Sequence, residues 1–206
     1  MKKRILTVAL VAALLATCFA GTYAYLQDSE AQTNTFTTGK VYITLDEAKV
    51  KKDPEGNLVA DGDNRTTENQ EYKDETKLFP DMTVTKDPTI TLDAGSENAW
   101  IAAKITFTGY NAYALLTGGE MFDADADDVE VVQNGDVVYV YVKAIQSAGA
   151  EIVLFDTLTI PKTWGNTEMA EINGMTINVE AYAVQANGFA SCQAAMQAAF
   201  PTAFPN

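Results

Sequence analysis

The segment VEVVQNGDVVYVYVKAI (Val129–Ile145) decides the fold, because its pattern predicts two strands joined by a tight turn. β-Branched and aromatic residues dominate both halves and alternate in the way that is typical of strands with one buried face. Between the halves, Asn134-Gly135 readily supplies the positive φ angles of a two-residue hairpin turn. The segment therefore predicts an antiparallel hairpin of Val129–Gln133 and Asp136–Ile145.

Similar alternation extends the β prediction in both directions along the chain. Pro88 falls inside the strand predicted over Thr83–Leu92, and a proline there requires an edge position, a bulge or a strand in two pieces. No strand–helix–strand alternation is present, so the sequence predicts an all-β protein, an antiparallel β-sandwich of jelly-roll type. The other predicted strands are Val41–Leu45, Ile101–Phe107, Ile152–Ile160 and Met175–Gln185.

Two segments interrupt the β pattern. Residues 49–77 are rich in charge and contain turn-forming proline and glycine, which predicts an exposed loop insertion. Residues 189–200 are rich in alanine and are followed by proline, which predicts a short C-terminal helix. An apolar stripe on this helix predicts a packing face and makes its cysteine a buried thiol, with an intermolecular disulfide as the alternative. The stripe consists of Phe189, Cys192, Met196 and Phe200.

The N-terminal residues predict export from the cell. A basic start is followed by an apolar run, as in a secretory signal peptide. Small residues at Thr22 and Ala24 place cleavage before Tyr25, so that residues 1–24 form the leader, and cleavage after Ala20 is the second choice. We therefore expect secretion to the extracellular matrix or the cell surface.

Two other roles for the leader remain open. A retained membrane anchor is one, although the apolar run of residues 5–19 is short for a span, which needs about 20 residues. Attachment of a lipid at Cys18 is the other. Apart from these two alternatives, we expect the chain to reach the membrane only through the uncleaved leader.

The charge balance narrows the choice of partners. The chain has 14 basic and 28 acidic residues, a net charge of -14, and the leader contributes three of the basic residues and no acidic ones. An acidic surface disfavours nucleic acid and anionic lipid as partners. Solubility outside the cell explains it most simply, and cation binding is the alternative. Without the leader, Cys192 is the only cysteine, so stability must come from core burial.

The chain contains no histidine, which excludes His-ligated zinc and nucleophiles paired with histidine. We predict no catalytic residues and no cofactor, with calcium as the one candidate ion. Its candidate site is the run DADADDVE, because alternate carboxylates in an extended segment can converge on a hard cation. The run lacks the glycine and glutamate of an EF-hand loop, so a solvated acidic turn is the alternative. The candidate ligands are Asp123, Asp125, Asp127, Asp128 and Glu130.

Three blocks of the sequence resemble the TasA/camelysin family of exported proteins of Gram-positive bacteria. With gaps at the charged insertion, the likeness extends from Gly21 to Phe200. It implies that a dedicated signal peptidase, SipW in that family, processes the leader. The blocks are AYLQDSEAQTNTFTTGKVYITLDEA (24–48), LFPDMTVTKDPTITLDAGSENAWIAAKI (78–105) and FDTLTIPKTWGNTEMAEINGMTINVEAYAVQANGF (155–189).

The resemblance implies two different functions. TasA-like members are structural subunits of extracellular biofilm fibres, in which a jelly-roll domain donates its N-terminal segment as a strand to the neighbouring subunit. Camelysin-like members are cell-surface metallo-endopeptidases. The residues favour the fibre over an enzyme, because carboxylates alone make a poor catalytic zinc site. A calcium-dependent surface binding module is a third hypothesis.

The fibre hypothesis assigns a role to residues 25–38, which we call the arm. The arm is polar with a few apolar anchors, enough to occupy a groove on a second copy but not to form a core. Such head-to-tail addition gives a homo-oligomeric filament, and Gly39 is the predicted hinge to the domain of residues 39–206. Alternatively, the arm folds back as the first strand of its own domain and leaves a monomer. The anchors are Tyr25, Leu26, Ala31 and Phe36.

Overall fold

Two β-sheets form the framework of the chain that the computed structural model describes, namely residues 39–68, 77–123 and 128–205. The chain from Gly39 onward forms one compact unit. The predicted fold class, an all-β sandwich with a short C-terminal helix, is confirmed. The strands are β1 (Ile43–Lys52), β2 (Leu58–Thr66), β3 (Thr83–Thr85), β4 (Thr89–Leu92), β5 (Ala99–Thr108), β6 (Leu116–Thr117), β7 (Val129–Asn134), β8 (Val137–Val142), β9 (Glu151–Val153), β10 (Thr157–Thr159) and β11 (Thr176–Gln185).

The strands divide into a seven-stranded and a four-stranded sheet. The first has the order β6-β10-β3-β2-β1-β4-β9, and the second has the order β11-β5-β8-β7. All neighbours are antiparallel except β2 and β3, which meet in parallel at Leu58 and Val84. Two short α-helices follow β10 and β11, namely α1 (Asn166–Glu171) and α2 (Cys192–Ala199), and a 3-10 helix precedes β6 (Ala112–Leu115).

Strand β5 shows why the molecule has three layers. Because successive side chains of a strand point to opposite faces, Ile101 and Ile105 enter the core between the sheets, whereas Trp100 and Ala102 face the other way. Helix α2 and the residues after it cover that outer face and form a second apolar cluster. The predicted helix stripe is a packing face, because its members belong to this cluster: Phe189, Cys192, Met196 and Phe200.

The start of α2 has a side-chain cap. The Ser191 hydroxyl accepts a hydrogen bond from the backbone N–H of Ala194 at 3.2 Å, which satisfies one of the free donors of the first turn. In the described part of the chain, no helix has the length and apolar character that crossing a membrane would need.

Pro88 divides its strand in two, one of the three outcomes that the sequence allowed. β3 and β4 lie on either side of it, and the predicted strand Ile152–Ile160 is divided in the same way into β9 and β10. The two breaks face each other, since Lys86 N–H donates to the Asp156 carbonyl at 2.9 Å and Leu154 N–H donates to the Pro88 carbonyl at 3.0 Å.

The charged segment 49–77 is not simply a loop, as the sequence predicts, because it contains the end of β1 and all of β2. One face of an antiparallel sheet can remain in water, so a polar strand is tolerated there. Arg65 holds β2 in place: its guanidinium contacts the carboxylates of Asp46 and Asp87, each at 2.7 Å, and donates to the Thr89 hydroxyl at 2.8 Å. Burial alone would lower the pKa of Arg65, but these two carboxylates raise it.

The hairpin between β7 and β8 is confirmed, with its turn one residue later than predicted. Asn134 pairs with Val137 as the last residue of β7, so the two-residue loop is Gly135-Asp136. Of the two loop residues, only Gly135 has a positive φ, of 60°. This fits a turn with glycine at its first central position. The Asn111 side chain donates to the Gly135 carbonyl at 3.0 Å and fixes the hairpin tip.

Candidate functional site

The four-stranded sheet ends at a long open strand. All ten residues of β11 pair with β5, and no other strand among residues 39–68, 77–123 and 128–205 pairs with its second side. The other three edge strands are shorter: β6 has two residues, β9 three and β7 six. We call the open side of β11, from Thr176 to Gln185, the acceptor edge.

The hydrogen bonds fix which backbone groups point outward from the acceptor edge. Ala186 N–H donates to the Asn98 carbonyl at 2.9 Å, so the even-numbered residues of β11 bond to β5. In an antiparallel ladder the residues between them turn their N–H and C=O groups the other way. The outward residues are therefore Ile177, Val179, Ala181, Ala183 and Gln185.

The side chains along the acceptor edge leave the flank of the core partly open. Ile177, Val179, Ala181 and Ala183 pack against the inter-sheet core and are only half-buried. Val41, Ile43 and Leu45, at and before the start of β1, have the same intermediate exposure and pack on the same core. A strand that added to β11 would gain backbone partners and would cover apolar surface at the same time.

Sequence reasoning predicted the strand Met175–Gln185 but not its edge position. The alternation of Ile177, Val179, Ala181 and Ala183 indicates an inward face, and the small alanines near its end were the only available sign of a thinly packed flank. The position of β11 in the sheet depends on pairings with β5 between residues that are 68 to 86 positions apart in the chain, and such pairings leave no local pattern.

The predicted calcium ligands are described only in part. Asp123, Asp128 and Glu130 have exposed side chains, and the backbone carbonyl of Asp128 accepts a hydrogen bond from Lys143 N–H at 2.8 Å. Asp125 and Asp127 lie outside the described residues. Within the described ranges no group of three or more His, Cys, Asp or Glu side chains is placed to hold a metal ion. The calcium site therefore stays a prediction.

The leader and the arm lie outside the described residues. This applies to the cleavage residues Thr22, Ala24 and Tyr25 and equally to the anchors Leu26, Ala31 and Phe36. The predicted hinge, Gly39, is described, and its φ is not in the left-handed region. A Cβ at Gly39 would lie 2.6 Å from Cγ of the exposed Glu97 side chain, and the hinge stays a prediction.

The thiol of Cys192 is buried, as predicted. It donates a hydrogen bond to the Ile101 carbonyl at 3.1 Å beneath α2. Burial raises the pKa of Cys192 to about 12, so the thiolate that would react is scarce at neutral pH.

Together, these features define a β-sandwich with one long edge strand whose second side has no strand partner in the described part of the chain. Comparison with known proteins gives one family match: the family model described as camelysin metallo-endopeptidase matches residues 1–66, about a third of the chain. The match confirms the resemblance to the TasA/camelysin family over those residues. No curated protein and no solved structure shows significant similarity to the chain.

Proposed function

We propose that this protein is a secreted structural subunit of extracellular biofilm-matrix fibres. Signal peptidase would free the arm, and the arm of one copy would then add as a strand to the acceptor edge of the next. The proposal includes jelly-roll connectivity of the sandwich and a location in the extracellular matrix or at the cell surface. The observation that carries it is the ten-residue open strand β11 with its half-buried apolar flank.

The energetics of the edge favour an arm with apolar anchors. Five outward residues offer up to ten backbone hydrogen bonds, each with a net contribution of about 1 kcal/mol. Ordering the twelve arm residues from Tyr25 to Phe36 costs about 1–2 kcal/mol for each residue, so the backbone bonds alone do not hold the arm. Burial of Tyr25, Leu26 and Phe36 adds about 1.5–3 kcal/mol for each side chain. These anchors therefore decide whether the arm binds.

Strand addition also gives an open edge a partner. A long unpaired edge templates uncontrolled pairing with other chains. An arm that leaves one copy and binds the next forms a heterologous contact that does not close, and such contacts generate filaments. Before cleavage the leader would hold the arm at the membrane, so that processing acts as the switch for assembly.

A metallo-endopeptidase is the second candidate, favoured by the description of the matching family. The residues do not fit a catalytic zinc site: the chain has no histidine, and the described carboxylates do not form a group of three. A calcium-dependent surface module is the third candidate and depends on the acidic run around Asp123. Casein cleavage that a chelator abolishes would favour the protease.

Negative-stain electron microscopy tests the proposed function directly. Protein that begins at Tyr25 is compared with a matched protein that lacks residues 25–37. We expect filaments from the first and folded monomers from the second, with folding checked by circular dichroism and thermal unfolding. Monomers from both proteins would contradict the fibre proposal and make the casein assay the next experiment.

A further inference from the structure

The chain enters the domain at one end of the acceptor edge. The Lys40 carbonyl accepts a hydrogen bond from Glu97 N–H at 2.9 Å, and the next residue, Asn98, bonds to Ala186 just after β11. A Cβ at Gly39 would lie 3.4 Å from the Gln185 side chain. The arm of each copy therefore leaves its domain at the end of β11 where Gln185 lies, which we call the Gln185 end. The opposite end, at Thr176, is the Thr176 end.

Because the arm leaves at the Gln185 end, parallel and antiparallel addition of the arm to β11 would place the donor domain at different ends of the recipient. In parallel addition, the C-terminal end of the arm would reach the Gln185 end of the recipient. The donor domain would then sit where the recipient's own arm leaves, and the two domains would meet by the same end. The recipient's arm would have to bypass the donor to reach a third copy.

Antiparallel addition removes this conflict. The C-terminal end of the arm then reaches the recipient's Thr176 end, so the Gln185 end of the donor faces the Thr176 end of the recipient. The recipient's own Gln185 end stays free for its arm to reach the next copy. Repeating this step gives a polar filament, which is the outcome expected of a heterologous contact that does not close.

The sheet itself favours the same polarity. All three pairings within the four-stranded sheet are antiparallel, and antiparallel pairs are slightly more stable per residue than parallel ones.

We infer that the arm of a second copy adds antiparallel to β11, with Thr38 toward the Thr176 end and Tyr25 toward the Gln185 end. The inference depends on the proposed function. The direction of the arm also distinguishes binding to a second copy from folding back onto the same copy. An arm that folded back onto its own acceptor edge would have Thr38 at the Gln185 end and would run parallel to β11.

Cross-linking between two differently labelled copies tests this polarity. Both copies begin at Tyr25. The donor copy carries Thr35→Cys. The recipient copy carries either Asn178→Cys or Gln185→Cys, two exposed positions near opposite ends of β11. Mixed filaments are treated with a short flexible bismaleimide, and cross-linked dimers are quantified. Because each copy holds only one added cysteine and Cys192 is buried, every specific dimer is intermolecular. Unsubstituted protein mixed with each variant is the matched control.

We expect at least ten-fold more dimer with Asn178→Cys than with Gln185→Cys. The reverse preference would overturn the antiparallel assignment and leave strand addition, and with it the proposed function, intact. Filaments that give no dimer above the control with either recipient would overturn both the polarity and the acceptor edge.

Discussion

A proline at position 181 should block assembly and leave the domain folded. Ala181 is the central one of the five outward residues, and its N–H points away from β5. Proline is tolerated on an edge strand when the lost N–H faces solvent. In Ala181→Pro, the ring would also hold an incoming strand away from its normal spacing of about 4.8 Å.

The size of the effect follows from the bonds that are lost. Proline removes the N–H of residue 181 and moves the arm away from its neighbours. We therefore expect about two to four backbone hydrogen bonds between β11 and the arm to be lost, at about 1 kcal/mol each. A loss of about 2–4 kcal/mol weakens arm binding by roughly 30- to 1000-fold. We expect the critical concentration for filaments, measured by sedimentation and electron microscopy, to rise by that factor. The midpoint of thermal unfolding of the monomer should change little.

The matched control is Asn178→Pro. Asn178 has an exposed side chain but lies at an even-numbered position, so its N–H points to β5, opposite Thr106. This variant should lose domain stability, because it removes a ladder bond inside the sheet. If Ala181→Pro assembled at the wild-type concentration, β11 would not be the acceptor. If the two variants were equally unstable, the assignment of outward and inward residues would be wrong.

Three further predictions concern packing, the buried thiol and calcium. Gly119 has φ 66°, and a Cβ there would lie 2.6 Å from Phe155 Cα; Gly119→Ala should therefore destabilise the domain in a denaturant titration by more than Gly135→Ala, which has open space and should cost about 1–2 kcal/mol. Equal losses would show that the contact with Phe155 relaxes. Cys192 should resist a maleimide at pH 8 until the protein unfolds. Because its pKa is raised to about 12 from 9.0, its contribution to stability is complete below pH 9 and is lost as the pH rises toward 12; rapid labelling of folded protein would contradict this burial. Millimolar calcium should raise the unfolding temperature if the acidic run binds it, and an Asp123→Asn, Asp128→Asn variant should lose the shift; no shift in the unsubstituted protein would rule out the site.

Local patterns predicted much of the fold. Alternation of apolar residues gave the hairpin of β7 and β8 and the strand β11, and the alanine-rich run before Pro201 gave α2. Short-range chemistry also limited the strand around Pro88 to three outcomes, one of which is the break that the structure shows. These features depend on neighbours within a few residues, and a single sequence displays them directly.

Features that depend on distant contacts could not be predicted. The polar strand β2 has little apolar signal of its own and is held by Arg65, whose partners Asp46 and Asp87 are about 20 residues away in the chain. The acceptor edge is defined by what lies beside β11, which no local spacing encodes. The arm was identified by its anchors and by family resemblance, and its pairing stays a prediction.

The bonds around Gly39 have a consequence for the mechanics of a fibre. Tension along a chain of linked subunits would enter each domain at residue 39 and load first the Lys40–Glu97 bond and the hydrogen bond of Tyr42 to Ser96. β1 lies immediately behind them, paired to β4 on one side and β2 on the other. Force directed along β1 would shear those pairings together instead of opening them one at a time. Because forced rupture is governed by the unfolding rate, the toughness of such a fibre would depend on β1, an interior strand of the larger sheet.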